Sequence, residues 1–188
     1  MARSLALAAS AAVAAAIPFV PTVPLCNKDG TCLAMPVVQQ GSCCGAYNIS
    51  SWLALGGRAI DTSTDYGSQP AIGAAVIASG IPRSQLWITS KLNVESCASN
   101  MTAALFQQVL QPLQMDYVDL LLIHHAGRWE TDKNPHPPCF DITLANGNGT
   151  YYSCRMQTVV AMEAMRAAGY IRSWGVSNWE IRDLQQSA

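Results

Sequence analysis

The sequence predicts a parallel α/β fold of the (β/α)8 TIM-barrel type, incomplete, with about five strand–helix units. Strand-like and helix-like segments alternate along the chain, and this order favours right-handed βαβ units and a parallel sheet. An open doubly wound sheet alternates in the same way, but it should carry a glycine-rich phosphate turn after its first strand. The loop GSCCG is a poor version of that turn, whereas polar groups that end several successive strands favour a barrel.

The individual elements are predicted from composition and from the residues that bound them. Apolar or β-branched runs indicate strands, whereas helical periodicity between Pro and Gly boundaries indicates helices. The run that ends at His124 is continuously apolar, which is typical of a parallel strand buried on both faces. Predicted strands cover residues 35–41, 59–62, 86–92, 117–124 and 171–176, and predicted helices cover 47–55, 69–79, 98–110, 156–168 and 179–186.

The chain divides into segments of different character. Residues 1–22 hold one arginine and a long Ala-rich apolar run, which is typical of a secretory signal peptide; an uncleaved anchor or an organelle-targeting signal is the alternative. Residues 23–34 form a Cys- and Pro-rich extended segment, and residues 35–188 form the partial barrel. Residues 127–155 lack periodicity, so we predict a surface insertion there.

Cysteines and sequons indicate an oxidising compartment, either the endoplasmic reticulum lumen or the extracellular space. The chain has seven cysteines, and we expect Cys26 with Cys32, and Cys139 with Cys154, to close small loops. Cys43 and Cys44 form a vicinal pair that the sequence does not assign. Possible N-glycosylation sequons begin at Asn48, Asn100 and Asn148.

Charge and hydropathy exclude two classes of partner. The formal net charge of −1 gives no electrostatic footprint for nucleic acid. Beyond the leader, no stretch is long and apolar enough to predict a membrane span. The cysteines lack the paired C-x-x-C spacing of a zinc site, so no metal is predicted.

Reactive side chains stand at the ends of three consecutive predicted strands. Asp61 and Tyr66 lie in the segment GGRAIDTSTDYG, Lys91 closes the strand in LWITSKL, and His124 closes the strand in LLLIHH. Because the carboxyl ends of parallel strands meet at one face of a barrel, we expect these groups to lie together. A carboxylate, a phenol, an ammonium and an imidazole form a set suited to proton transfer.

Four sequence pieces resemble the aldo-keto reductase family, in the same order: GGRAIDTSTDYGSQPAIGAA, LWITSKLN, MDYVDLLLIHH and GYIRSWGVSNW. The resemblance covers residue 35 to the C-terminus apart from the insertion, and it implies a barrel that binds NADPH and reduces small carbonyl substrates. By position it implies Tyr66, Asp61, Lys91 and His124 as catalytic residues, with His124 also binding the substrate. It implies a cofactor-binding role for Asp61 and for the pair Ser177–Asn178, which would hold the nicotinamide carboxamide.

The implied chemistry follows from the side chains themselves. Carbonyl reduction needs a hydride on carbon, which only a cofactor supplies, and a proton on oxygen. A free tyrosine, with a pKa near 10, is a reluctant acid at neutral pH, and a neighbouring ammonium stabilises its phenolate. We therefore expect Lys91 to tune Tyr66, Asp61 to hold Lys91, and His124 to donate a hydrogen bond to the substrate oxygen.

Each residue also has a structural interpretation. Asp61 could cap a turn, Tyr66 could pack in one, and Lys91 could be solvated. The pair Ser177–Asn178 could simply begin a helix.

The neighbouring His125 competes with His124 for the role at the site. Strand alternation sends the two rings to opposite faces, and the register favours His124 as the one that faces the site.

The length of the chain leaves two functions open. The family's barrel needs eight strands and about 250 residues, whereas about five strands are predicted here and the family's basic phosphate-binding segment is not found. We expect either a fragment of a longer reductase or a chain whose barrel a partner chain completes. The alternative function is a non-catalytic binding or regulatory module with a reductase-like half barrel.

Overall fold

The structure, a computed structural model, describes residues 20–45, 47–92, 101–125 and 151–187. Residues 1–19 of the predicted leader, most of the predicted insertion, Cys139 and the sequons at Asn100 and Asn148 lie outside the described residues. The strands are β1 (Thr22–Cys26), β2 (Cys32–Pro36), β3 (Gln40–Gly41), β4 (Ala59–Asp61), β5 (Trp87–Leu92), β6 (Val118–Ile123) and β7 (Ile171–Val176). The α-helices are α1 (Ile49–Ala54), α2 (Gln69–Ser79), α3 (Met101–Ala104), α4 (Gln111–Leu113), α5 (Tyr151–Ala167) and α6 (Ile181–Ser187).

Five strands form one parallel sheet in the order β3-β4-β5-β6-β7. Each strand therefore pairs with the next one along the chain, with a helix in most of the connections, as in a sector of a (β/α) barrel. The register aligns Asp61 with Thr89, and Lys91 with Leu122. The carboxyl ends of β4, β5 and β6 consequently lie side by side.

The core lies between this sheet and its helices. All six residues of β5 are buried, and β6 is nearly as enclosed. The prediction that the run ending at His124 is a strand buried on both faces is confirmed. The fully buried members of the core include Ile60, Ile72, Ile88, Leu105, Leu121 and Met162.

A β-hairpin precedes the parallel sheet, and here the predicted strand over residues 35–41 is wrong. Strands β1 and β2 pair antiparallel, with Val23 opposite Met35 and Cys26 opposite Cys32. Met35 and Pro36 thus belong to β2, whereas the parallel sheet starts only at Gln40. The division follows from pairing with a distant segment, because Val37 N donates to Pro21 O and completes the hairpin.

The hairpin covers the amino-terminal end of the parallel strands. Leu25, Leu33 and Met35 pack on a small buried cluster that contains Ala59 and Trp87, the first residues of β4 and β5. The Asn27 amide donates to Arg172 O at 3.3 Å, and its oxygen accepts from Ser173 Oγ at 2.7 Å. The site-bearing ends of the strands therefore face away from the hairpin.

Asp119 joins three strands near this same end of the sheet. Its fully buried carboxylate accepts from Arg83 at 2.7 Å, from Arg172 at 2.8 Å and from Ile88 N at 2.9 Å. Buried carboxylates are tolerated when charged donors surround them, as here. The contacts link the start of β6 to β5 and β7.

The helices match their predictions to within two residues at their ends, apart from two larger differences. Helix α2 and strand β7 occupy the predicted residues 69–79 and 171–176. The third predicted helix is described from residue 101 and continues past residue 110, with a π-helical segment at Leu105–Leu110 between α3 and α4. Helix α5 begins at Tyr151 rather than at 156, so the last five residues of the predicted insertion are helical.

Two cysteine pairs and one sequon fall within the described residues. The sulfurs of Cys26 and Cys32 lie at bonding distance, as do those of Cys43 and Cys44. Asn48 is exposed, and its side-chain oxygen accepts from Ser51 N at 2.9 Å as the N-cap of α1. None of the helices in the described part of the chain is long and apolar enough to cross a membrane.

Candidate active site

Asp61 and Tyr66 are placed by a tight turn after β4. Asp61 is the last residue of that strand, and a 3-10 helix at Thr64–Tyr66 follows. Ser63 caps this helix, and Gly67 ends it with φ +65°, a left-handed conformation that glycine adopts without strain. The turn brings the Tyr66 phenol back over the end of the neighbouring strand.

Lys91 connects the carboxylate and the phenol. By strand alternation it shares a face of β5 with Trp87 and Thr89, and its side chain is only 8% exposed. Its ammonium donates to Asp61 Oδ1 at 2.6 Å, to Thr62 O at 3.0 Å and to Tyr66 Oη at 3.4 Å. Three oxygens thus match the three donors that a buried ammonium must satisfy, which excludes the solvated-lysine interpretation.

A network of buried hydroxyl groups stabilises the turn after β4. Ser42 Oγ donates to Asp61 O at 2.9 Å and lies 2.9 Å from Ser68 Oγ, which in turn lies 2.9 Å from Thr62 Oγ1. These three hydroxyls join the loop after β3, the end of β4 and the start of α2. They fix the backbone that carries Asp61.

His124 lies directly after β6 and faces the turn. Its backbone N–H donates to Leu92 O at 2.9 Å, which extends the ladder by one residue. Its Nδ1 lies 3.2 Å from both Ser63 Oγ and Asp65 Oδ2, and its ring meets the Tyr66 ring edge-on with centroids 5.9 Å apart. Burial, and secondly the Lys91 charge, lowers the pKa of His124 below the ordinary histidine value, while Asp65 opposes that shift.

The expectation that His125 faces away from His124 is wrong. The two rings stack with centroids 4.4 Å apart and an interplanar angle of 25°. Strand β6 ends at Ile123, so the alternation of a pleated strand does not govern the next two residues. Burial, and then the neighbouring His124, lowers the pKa of His125 as well.

Ser177 and Asn178 are hydrogen-bonded to the end of β6. Ser177 N donates to Ile123 O at 2.9 Å, and Asn178 Nδ2 donates to His124 O at 2.9 Å. Asn178 takes the left-handed conformation with φ +56°, which asparagine tolerates better than most residues. Helix α6 begins only at Ile181, so the interpretation of this pair as a simple helix start does not hold.

The structure also shows two site residues that the sequence analysis did not single out. Ser63 and Asp65 both contact the imidazole of His124. The sequence feature that could have identified them is their position between Asp61 and Tyr66 in the same short turn. Within the described residues, no group of three or more His, Cys, Asp or Glu side chains is arranged to hold a metal ion.

Asp61, Tyr66, Lys91 and His124 lie together at the carboxyl ends of parallel strands. Comparison with known proteins gives the family of the chain: the model of the aldo/keto reductase family matches residues 49–187. Aldo-keto reductase family 1 member A1 of Pongo abelii is 36% identical over 138 residues, a match that covers 70% of this chain and 41% of that protein. An aldo-keto reductase of Mycolicibacterium vanbaalenii is 31% identical over 170 residues, covering 88% of this chain and 52% of that protein.

Solved structures give the same result for the fold. The aldo/keto reductase of Brucella melitensis superposes with a TM-score of 0.66 at 30% identity, over 90% of this chain and 58% of that one. A Bombyx mori aldo-keto reductase solved in complex with NADP superposes with a TM-score of 0.66 at 26% identity, over 90% of this chain and 54% of that one.

This chain belongs to the aldo-keto reductase family, and the predicted barrel-type parallel fold is confirmed. The chain spans about half the length of the relatives it matches, from 41% to 58% in the comparisons above.

Proposed function

We propose that this chain carries the proton-transfer site of an NADPH-dependent reductase that converts small aldehydes or ketones to alcohols. The observation that carries the proposal is the position of the Lys91 ammonium, 2.6 Å from Asp61 Oδ1 and 3.4 Å from Tyr66 Oη. Membership of an oxidoreductase family supports it, as does the NADP found in the Bombyx mori relative.

The proton in this reaction comes from Tyr66. Its O–H is transferred to the carbonyl oxygen, and the phenolate that remains lies beside the Lys91 ammonium, which stabilises the new negative charge. Asp61 is hydrogen-bonded to that ammonium and keeps it in place. Because Lys91 is buried, its interaction with the phenolate is screened less than it would be in water.

Ser177 and Asn178 suit the cofactor's carboxamide. The backbone bond of Ser177 and the amide bond of Asn178 fix both residues beside His124. Asn178 Nδ2 is used in that bond, so its Oδ1 is the group that would accept from a carboxamide N–H, while the Ser177 hydroxyl could donate to the carboxamide oxygen. NADPH, when bound there, supplies the hydride that no side chain provides.

The role of Tyr66 is tested by the substitution Tyr66→Phe. We expect NADPH oxidation with an aldehyde to fall by about 10²-fold or more, because a general acid contributes on the order of 10²–10⁴ in rate. NADPH affinity, followed by fluorescence titration, should change little, because the ring remains. The assay uses the 188-residue chain.

The matched control is Tyr117→Phe, a tyrosine that precedes β6 and stacks with Arg83 at 4.0 Å, near the opposite end of the strand. It should keep wild-type turnover. Turnover retained in Tyr66→Phe would contradict the proposal, and NADPH binding without turnover in the wild-type chain would favour a non-catalytic module instead.

A further inference from the structure

Asp65 takes no part in the proton transfer from Tyr66, yet its carboxylate contacts the site. Its Oδ2 lies 3.2 Å from His124 Nδ1, and Ser63 Oγ lies at the same distance from that nitrogen. The Asp65 backbone N–H donates to Ser63 Oγ at 3.4 Å, so one short turn presents both oxygens to the ring. The His124 side chain is 10% exposed and that of Asp65 is 45% exposed.

The chemistry of a carboxylate determines which ring nitrogen carries the proton. An ionised carboxylate only accepts hydrogen bonds, so a ring nitrogen that faces it must be the N–H. In a neutral imidazole with the proton on Nδ1, Nε2 has only its lone pair. Nε2 can then donate a hydrogen bond only when the ring is the doubly protonated imidazolium.

We propose that Asp65 is a positioning residue that holds His124 in the Nδ1–H tautomer, so that His124 donates a hydrogen bond to a carbonyl oxygen only as the imidazolium. This inference rests on the proposed function and deepens it. Protonation of His124 then favours the carbonyl substrate, because the neutral ring has no Nε2–H to donate to the carbonyl oxygen.

The charged groups around the ring come from every neighbouring element. Lys91 on β5 faces it, as do Asp61 at the end of β4 and Asp65 in the 3-10 turn, and His125 stacks on it. Burial and Lys91 disfavour the imidazolium, whereas the two carboxylates favour it. Asp65 is the carboxylate in direct contact with the ring, and its removal takes away the largest of the favourable contributions.

Nuclear magnetic resonance of the ring nitrogens tests the tautomer without any turnover. The chain has three histidines, and His124→Gln identifies the signals of His124 by their loss. At high pH the wild-type ring should show Nδ1 protonated and Nε2 bare. In Asp65→Asn the amide can donate to Nδ1, so we expect the Nε2–H form to gain population and the pKa of His124 to fall.

The matched control is Asp116→Asn, an exposed aspartate near the opposite end of β6, which should leave the His124 signals unchanged. An Nε2–H tautomer in the wild-type chain, or an unchanged tautomer in Asp65→Asn, would overturn the inference.

The pH dependence of turnover provides a second test of the role of Asp65. For wild-type protein, kcat/KM with an aldehyde should fall as pH rises through the pKa of His124. In Asp65→Asn the aldehyde profile should flatten, because the neutral ring can now donate from Nε2. Identical profiles for the two proteins would also overturn the inference, whereas a chain without turnover refutes the proposed function and leaves the tautomer to the resonance measurement.

Discussion

Among single residues, Lys91 and His124 show how buried polar side chains depend on their hydrogen-bond partners. Lys91 remains buried because three oxygens accept from its ammonium, and two of those oxygens belong to Asp61 and Tyr66. His124 is nearly as buried, and its Nδ1 contacts the Asp65 carboxylate. The cost of burying these polar groups is offset only where the partners are complete, so the positions of the four groups depend on one another.

The two stacked histidines predict how stability depends on pH. Both have a pKa below the ordinary value, chiefly because burial disfavours the charged ring. The unfolded chain therefore binds protons more readily below about pH 6.5, so stability should be fully present above that pH and decline as the pH falls through the lowered values. Denaturant midpoints at several pH values measure this.

The control for this prediction is the double variant His124→Gln with His125→Gln, which should lose most of the decline between neutral pH and about pH 5. The pKa of Asp29 is lowered mainly by its hydrogen bonds to Thr31. Asp29 therefore contributes a loss of stability only at more acid pH, as the pH falls below the ordinary pKa of an aspartate. A wild-type stability that stays constant or rises on acidification through the histidine range would contradict the account.

The sequence analysis missed contacts between distant residues, and with them the site residues Ser63 and Asp65. Asp61, Lys91 and His124 were predicted because each lies at or directly after the end of a strand, and Tyr66 because it follows in the loop after β4. The contact of Asp65 with His124 joins residues 59 positions apart, and the stacking of His125 depends on where β6 stops. Neither follows from a local pattern, because a shift of one residue at a strand end changes the direction of a side chain.

At the scale of elements, α2 and α4 pack so closely that one glycine is required. A Cβ added to Gly73 would lie 2.4 Å from Leu113 O, a backbone atom that cannot move alone. Helix propensity by itself predicts that Gly73→Ala stabilises α2 by about 0.5–1 kcal/mol. We expect the opposite sign, a loss of about 1–3 kcal/mol, because the two helices must separate. Chemical denaturation measures the difference.

The matched control is Ala74→Gly, the exposed neighbour in the same helix. It should cost about 0.5–1 kcal/mol through propensity alone. If Gly73→Ala were more stable than the wild-type chain, the close approach of the two helices would be disproved.

Elements with local boundary signals were predicted well, and elements set by distant partners were not. Helix α2 has Pro70 in its first turn and Gly80 with φ +65° after its end, so its limits can be read from the sequence. The segment around Met35 has the composition of one strand, but Val23 pairs with it and divides it between two sheets. Propensity cannot anticipate such pairing, because it depends on residues elsewhere in the chain.

For the whole molecule, the parallel sheet in sequence order determines where chemistry can occur. The hairpin β1–β2 covers the amino-terminal end of the strands, and its Leu25 and Leu33 pack there on the buried cluster that contains Trp87. The reactive groups all lie at the opposite end, as in other barrels of this type. The alternation of strands and helices predicted that these groups lie at one end of the sheet. The hairpin at the other end was not predicted, because it forms only when β1 pairs with β2.

We propose that Tyr66 supplies the proton while NADPH, when bound at this site, supplies the hydride to the carbonyl carbon. The most direct measurement is mass spectrometry of the alcohol formed from an aldehyde with NADPH deuterated at either C4 position of the nicotinamide. The account predicts one deuterium on the former carbonyl carbon with one of the two labelled cofactors, and almost none in Tyr66→Phe. An alcohol without deuterium from both cofactors, or no alcohol at all, would contradict it.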